Sequence, residues 1–445
     1  MTKSLTKKFK RITSIALAMM MLVSMALPGF AEEVKYTTAA ITKELYTPVG
    51  TANPNFTFEF EVKGISEDDI EADELDVPMP VVGDNGKIEI DMTGAIGYTD
   101  KGITVYKKES KELFTGVNWL HAGVYVYEVT EKINTIDLKK TDVDDKGNEY
   151  ETDELRDELT YSIAKYKLTV MVAGDGADPE KFYVDSIYAD RIVADGEDET
   201  GKVDPEPKDG EDDEYSGMTF ANIFVKNHGG GVDPQDPEDP KDPKDPDPET
   251  IDEYTVFKLF KTVTGQFGNK SKPFSFTVKL EKAKIGVEDS RTYYAYKMEK
   301  QNGVSVIVGE RIDFKGNAGA ASETVYLTHG QWLAFINMPV GTYFQVEEKG
   351  EADYVANYQI IIAGINKGGV TQPSDNKGAD LGMETMISIG EGKVNNVEFT
   401  NVHVTNPTTG ISVDNLPYIV MIAAAMFALA ALIVIKYRKG SKASA

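Results

Sequence analysis

The sequence predicts an all-β fold, with two antiparallel sandwich or barrel domains in tandem. Three observations predict it. Apolar residues alternate with period two in many short runs, turn residues punctuate those runs, and one series of motifs occurs on both sides of a proline-rich segment. The clearest alternating runs are Phe56–Val62, Val124–Val129, Tyr166–Val172, Phe274–Leu280 and Val394–Val402. Many short strands of this kind favour a sandwich or barrel over a parallel sheet. Helical patterning is scarce, and Glu67 to Leu75 is at most one short helix.

The proline-rich segment spans 229–250. Gly229-Gly230-Gly231 leads into a stretch with Pro234, Pro237, Pro240, Pro243, Pro246 and Pro248 set among Asp, Glu and Lys. Proline fixes φ and removes a backbone donor, so helix and sheet are both disfavoured. Polyproline II remains, extended further by charge, and the segment reads as a semi-rigid spacer. It divides the chain into domains at 32–228 and 251–405. Each is long enough to bury a core of its own, given roughly 100 to 200 residues per domain.

The two ends carry processing signals. Lys3, Lys7, Lys8, Lys10 and Arg11 precede an apolar core from Ile15 to Leu27, and Pro28-Gly29-Phe30-Ala31 offers a small-residue cut after Ala31. Residues 1–31 therefore read as a secretory signal peptide. The alternative, an uncleaved helix, is hampered by a core too short for a membrane span. At the other end, 406–445, Asn406-Pro407-Thr408-Thr409-Gly410 precedes an uncharged run from Leu416 to Ile435 and then Lys436-Tyr437-Arg438-Lys439. A run of roughly twenty apolar residues can cross a bilayer, with the basic cluster on the cytoplasmic side. This order resembles the sorting signal of Gram-positive wall-anchored proteins. That resemblance implies a sortase cutting between Thr409 and Gly410, joining Thr409 to peptidoglycan, with the apolar helix holding the precursor in the membrane. The pentapeptide begins Asn-Pro where the commonest form has Leu-Pro, which leaves the sortase class open. A plain C-terminal anchor that is never processed is the other reading.

Composition narrows the function. The formal net charge of −26 argues against nucleic-acid binding, which needs basic patches, and favours solubility at a crowded surface. With no cysteine, the chain cannot use disulfides even in an oxidising compartment. The four histidines form no spaced cluster, so no metal or other cofactor is expected. Asp142-Val143-Asp144-Asp145-Lys146-Gly147 looks briefly like a calcium loop, but Lys146 stands where a ligand oxygen is needed. An acidic hairpin turn is the better reading there. No Ser/His/Asp, Cys/His or metal constellation points to an enzyme, and a carboxylate pair acting on glycans is the one enzymatic alternative left open.

The repeated motifs carry the chemistry. Ile41-Thr42-Lys43-Glu44-Leu45 is echoed by Leu259-Phe260-Lys261-Thr262-Val263. Phe56 and Phe58 are echoed by Phe274 and Phe276, and Gly123 through Glu131 by Gly341 through Glu348. Each domain closes on Phe-x-Asn: Phe220-Ala221-Asn222 and Phe399-Thr400-Asn401. Strand alternation sets the facing. Tyr127, Val129 and Glu131 share one face, as do Phe344, Val346 and Glu348, so Glu131 and Glu348 point inward while Glu128 and Glu347 point to water. By the same parity Lys43, Lys261, Asn222 and Asn401 each share a face with a large apolar neighbour.

A buried Lys, Glu or Asn is costly alone. Three of them, twice over, share one explanation: an internal isopeptide bond. Burial pushes the Lys amine toward its neutral, nucleophilic form and the Glu toward its protonated form. The acid donates to the Asn carboxamide oxygen, the amine attacks the polarised carbon, Glu shuttles protons, and ammonia leaves. The expected bonds are Lys43–Asn222 with Glu131, and Lys261–Asn401 with Glu348. This is self-modification without turnover. The ordinary alternative for each triad is a Lys snorkelling to the rim, a Glu in a surface ion pair and an Asn at a turn.

Taken in order, these motifs resemble the streptococcal major pilins built of two domains with internal Lys–Asn linkages. The motifs carrying the resemblance are Ile41-Thr42-Lys43, Gly123 through Glu131, Phe220-Ala221-Asn222, Lys261 through Gly265, Met338 through Glu348, and Phe399-Thr400-Asn401. The resemblance implies immunoglobulin-like β-sandwiches and a Gram-positive surface protein. It also implies, in polymerising members, a further Lys shortly before the first-domain Asn. Here that stretch is Tyr215-Ser216-Gly217-Met218-Thr219, after an acidic insertion from Asp195 to Glu214. Lys208 and Lys226 lie nearby without matching. A monomeric wall-anchored stalk or adhesin is thus the first reading, and a pilin polymerised through another Lys the second. Partners would be other surface or pilus proteins and host ligands. Trp119 and Trp332 each precede the Gly-x-Tyr strand of their domain, which points to a shared core role rather than a ligand site.

Overall fold

The structure, a computed structural model, describes residues 35–226 and 255–404 apart from short internal stretches, together with Met421, Ile422 and Ala425. The signal peptide at 1–31, the whole spacer at 229–250, the pentapeptide Asn406–Gly410 and most of the apolar run after it lie outside the described residues. Among the described residues no helix is long and apolar enough to cross a membrane.

Strands make up almost all of the regular structure, as the period-two pattern requires. They form two sandwiches, each with its own core. In the first, the strand order in one sheet is Glu158–Thr160, Thr219–Val225, Thr42–Pro48, Ile103–Glu109, Gly97–Asp100. The facing sheet runs Gly201–Val203, Asp178–Val193, Lys165–Asp175, Gly123–Glu131, Thr57–Glu67. Between them lie Phe58, Phe60, Tyr125, Tyr127, Tyr166 and Phe220, all fully buried. In the second, Phe257–Thr264 sits between Trp332–Phe335 and Asn396–His403 in one sheet. Phe274–Glu281 sits between Ala320–Leu327 and Tyr343–Glu348 in the other. Phe257, Phe274, Phe276, Phe344 and Phe399 fill that core. Each such ring contributes roughly 1.5–3 kcal/mol by leaving water.

One expectation is refined and two are corrected. Among the described residues the sheets are antiparallel, as expected, except at one pairing in each sandwich. Thr42–Pro48 pairs in parallel with Thr219–Val225, and Phe257–Thr264 in parallel with Asn396–His403. First and last strands of each domain run side by side in the same direction, which no local turn can produce and no local pattern announces. Second, the described part of Glu67–Leu75 is not helical. Ile70–Glu71 folds back as a strand on Thr57–Glu67, because a turn this short gains more from ladder bonds than from an isolated helical nucleus. Third, Trp119 and Trp332 are both buried but not equivalent. Trp119 joins the main first-domain core, whereas Trp332 lies in a separate cluster with Tyr294, Tyr296 and Met298.

The segment read as an acidic turn carries the paired strands Thr141–Val143 and Glu149–Glu151, a hairpin, with 144–148 outside the described residues. The two sandwiches meet through a small apolar cluster of Ile103, Ile223 and Val225 from the first and Ile285 from the second. Around it, Glu391 accepts from Lys226 Nζ at 2.5 Å and from the Ala52 N–H at 2.9 Å, and the Val340 N–H donates to the Lys226 carbonyl at 3.0 Å.

Candidate functional site: two buried Lys–Glu–Asn clusters

Strand parity brings each expected triad together inside its sandwich. In the parallel ladder Lys43 pairs with Phe220 and Leu45 with Asn222. Lys43 and Asn222 therefore lie on the same inner face, two register positions apart on neighbouring strands. Glu131 reaches them from the opposite sheet, at a position paired with Phe60. The second sandwich repeats the arrangement: Lys261 pairs with Phe399, Val263 with Asn401, and Glu348 with Phe276.

The contacts are short and dry. Lys43 Nζ donates to Glu131 Oε2 at 2.8 Å, and Asn222 Nδ2 donates to Glu131 Oε1 at 2.6 Å. Lys261 Nζ and Asn401 Nδ2 both donate to Glu348 Oε1, at 2.9 and 2.8 Å. The side chains of Lys43, Glu131 and Lys261 have no exposed surface, and Glu348 has 1%. Lys43 Nζ lies 4.4 Å from the centre of the Phe58 ring, and Lys261 Nζ 4.3 Å from that of Phe274. Phe58 and Phe60, rather than the Phe56 and Phe58 expected from the repeat, stand over Lys43 as Phe274 and Phe276 stand over Lys261, and they wall each amine off from water.

Burial decides the charge state. It pushes the Lys43 ammonium below its ordinary value and the Lys261 ammonium down to about 8, against the pull of the facing carboxyl. It pushes Glu131 and Glu348 up, against the pull of the facing Lys. Cation–π attraction opposes this by about 0.5–2 kcal/mol, whereas stripping water from an ion costs several kcal/mol each. Both shifts move each pair toward a neutral amine beside a protonated acid. A neutral amine is a nucleophile, and the carboxyl that touches both it and the carboxamide nitrogen can move a proton between them.

One detail differs from expectation. In both sites the carboxyl meets the carboxamide nitrogen, not its oxygen. Asn222 Oδ1 instead accepts from the backbone N–H of Ser162 at 2.6 Å. Ser162 is in turn held by Asp195, which is 4% exposed. Asp195 accepts from Ser162 Oγ at 2.5 Å and from the N–H groups of Ile163, Ala164 and Ala221 at 2.7, 3.1 and 3.2 Å. Burial pushes the Asp195 carboxyl up while these donors pull it down. The sequence places Asp195 only at the start of an acidic insertion and gives no sign of Ser162. Nothing local distinguishes Asp195 from the acidic residues after it, and only the chain's path buries it. In the second site, Asn401 Oδ1 and Glu348 Oε2 are buried and have no hydrogen-bond partner among the described residues.

Lys208 and Lys226 do not reach either site. Lys208 bridges Asp204 at 3.0 Å and Glu214 at 3.4 Å, and Lys226 is held by Glu391. Among the described residues no group of three or more His, Asp or Glu is arranged to hold a metal ion.

Residues 256–403 match the model of a domain of unknown function, DUF7601. No curated protein matches the chain. Among solved structures, the chain is similar to the major pilin from Streptococcus pyogenes, at 15% identity over 84% of this chain and 100% of that one, with a TM-score of 0.30. It is similar to the T-13 major pilin from the same organism at 17% identity, over 83% and 98% of the two chains, with a TM-score of 0.28. A pilus-presented adhesin, Cpa, is similar at 10% identity over 81% and 100%, with a TM-score of 0.21.

Proposed function

We propose that this chain is a structural protein of a Gram-positive cell surface, exported, fixed to the wall, and made mechanically stiff by one Lys–Asn isopeptide bond in each sandwich. The observation that carries the reading is the pair of dry Lys–Glu–Asn clusters, each joining the first strand of a sandwich to its last. In each, the neutral Lys amine attacks Cγ of the Asn carboxamide. The new C–N bond replaces the Cγ–Nδ2 bond, the carboxyl carries the amine proton to Nδ2, and one ammonia leaves. Glu131 and Glu348 end as they began, so the reaction runs once per domain. Packing supplies the proximity that such an attack otherwise lacks.

The placement suits a tensile role. First and last strands run parallel, so a pull on the two ends of a domain shears their ladder of hydrogen bonds. A covalent link between those strands takes the pull in place of the ladder. Sorting at Thr409, with sortase and peptidoglycan as partners, rests on the order of pentapeptide, apolar run and basic tail. The same arrangement would serve a monomeric stalk or a pilus subunit.

The deciding experiment is the intact mass of the denatured chain. A deficit of two ammonias, falling to one in Glu131→Ala and in Glu348→Ala, supports the reading. A full calculated mass overturns it. Wall extracts then separate the two roles: a ladder of very large species means a polymerised pilin, a single band a monomeric stalk.

A further inference from the structure

The two sites differ in how they treat the carbonyl under attack. When the Lys43 amine adds to Cγ of Asn222, the carbonyl oxygen gains negative charge. In the first sandwich that oxygen already receives the Ser162 N–H at 2.6 Å, inside the buried core. A fixed backbone donor aimed at the oxygen where charge develops is the usual device for lowering the barrier of acyl transfer. The oxygen atom of Asn401 has no such donor among the described residues.

The donor is held in place from below. Asp195 accepts bonds from three successive residues of the Ser162–Ala164 segment and from the N–H of Ala221, the residue before Asn222. One buried carboxyl therefore ties the segment that donates to the strand that bears the target. Ser162 and Ala164 lie in no strand, so without this tie nothing in a sheet ladder fixes the direction of the Ser162 N–H.

We infer that the backbone N–H of Ser162 is the oxyanion donor for the Lys43–Asn222 bond, with Asp195 as its positioning residue, and that the second sandwich works without an equivalent. In the second site the orphaned Glu348 Oε2 is the atom that a proton would turn into a donor, with Asn401 Oδ1 the orphaned acceptor of the same cluster. The two bonds then form by distinguishable routes, one polarised by backbone and one by the acid itself. This inference rests on the isopeptide reading above.

The test follows both cross-links in one chain. The full chain is made by cell-free translation, quenched in denaturant at intervals and digested, and the Lys43–Asn222 and Lys261–Asn401 peptides are quantified by mass. One form replaces Ser162 with its α-hydroxy acid, so that an ester oxygen stands where the N–H was and the side chain is kept. A second carries Asp195→Asn, whose amide turns an N–H₂ toward two of the present donors. A third combines both. The ester should slow Lys43–Asn222 formation by about a hundredfold, the cost of one oxyanion donor, and leave Lys261–Asn401 unchanged. Asp195→Asn should slow the same bond and add nothing in the ester background, since its effect runs through that N–H. Wild-type speed in the ester form overturns the inference, as does a further slowing in the combined form. Absence of both cross-links from the unmodified chain overturns the isopeptide reading itself, a result that this comparison keeps separate.

Discussion

Lys43 Nζ lies 2.8 Å from Glu131 Oε2, and neither side chain has any surface in water. As an ion pair this contact would cost two desolvations, and replacing such a pair by apolar residues is often stabilising. A protein under selection for stability alone has little reason to keep it, still less to build it twice. The proposed reaction supplies such a reason: the buried Lys43 amine would become an amide with Asn222, and Glu131 would be left as it was.

The proton shuttle can be separated from the fold. Glu131→Gln and Glu348→Gln keep the shape and one acceptor but cannot carry a proton. Each variant should fold with native circular dichroism and retain one more ammonia than the parent. Loss of both bonds from either single variant would show that the two sites are coupled, contrary to their separate cores.

Force gives a second prediction. With both bonds formed, the chain between Lys43 and Asn222 and between Lys261 and Asn401 lies outside the path of tension. Single-molecule pulling on the wild type should therefore release no length from either sandwich. The double Gln variant should show two unfolding events, each releasing about 3.3–3.6 Å per residue. Unfolding steps of that length in the wild type would refute closed cross-links.

The third prediction concerns pH. In Asn401→Ala the Lys261 amine stays unreacted, and burial holds it at about 8 against an ordinary 10.5. The folded state then binds fewer protons than the unfolded state between those values. The contribution of Lys261 to stability is complete above about 10.5 and is lost as pH falls through about 8. Glu348, raised by burial, acts in the opposite sense: its contribution is complete below the ordinary 4.5 and lost as pH rises through its raised value. Relative to the Lys261→Met/Asn401→Ala double variant, the urea midpoint of Asn401→Ala should climb between pH 8 and about 10.5. The cross-linked wild type carries an amide there and should show no such climb.

The contact between the sandwiches should depend more on packing than on charge. Glu391→Ala removes a partly exposed pair with Lys226, worth about 0.2–1 kcal/mol. Ile285→Asp puts a carboxylate against Ile103, Ile223 and Val225, where burial is severe. Small-angle scattering should find the first variant near the parent's dimensions and the second extended, with both sandwiches still folded.

Much of each site was legible from strand alternation. Parity alone put Lys43, Glu131 and Asn222, and their counterparts Lys261, Glu348 and Asn401, on inward faces, because side chains alternate strictly along a strand. Phe58, Phe274 and Phe276 were legible in the repeat, but it paired Phe56 with Phe274, whereas Phe58 and Phe60 are the rings that match Phe274 and Phe276. What parity does not contain is who neighbours whom across the sheet. The parallel pairing of first and last strands joins residues far apart in the chain, and so does the burial of Asp195 under Ser162.

The sequence by itself determined the all-β class and the facing of six polar side chains, because these follow from local periodicity. Only the tertiary structure decided the direction of the closing strands, the separate settings of Trp119 and Trp332, and which atom of Asn222 meets a backbone donor. Those depend on long-range packing, where the free energy of a contact is set by what else is buried beside it.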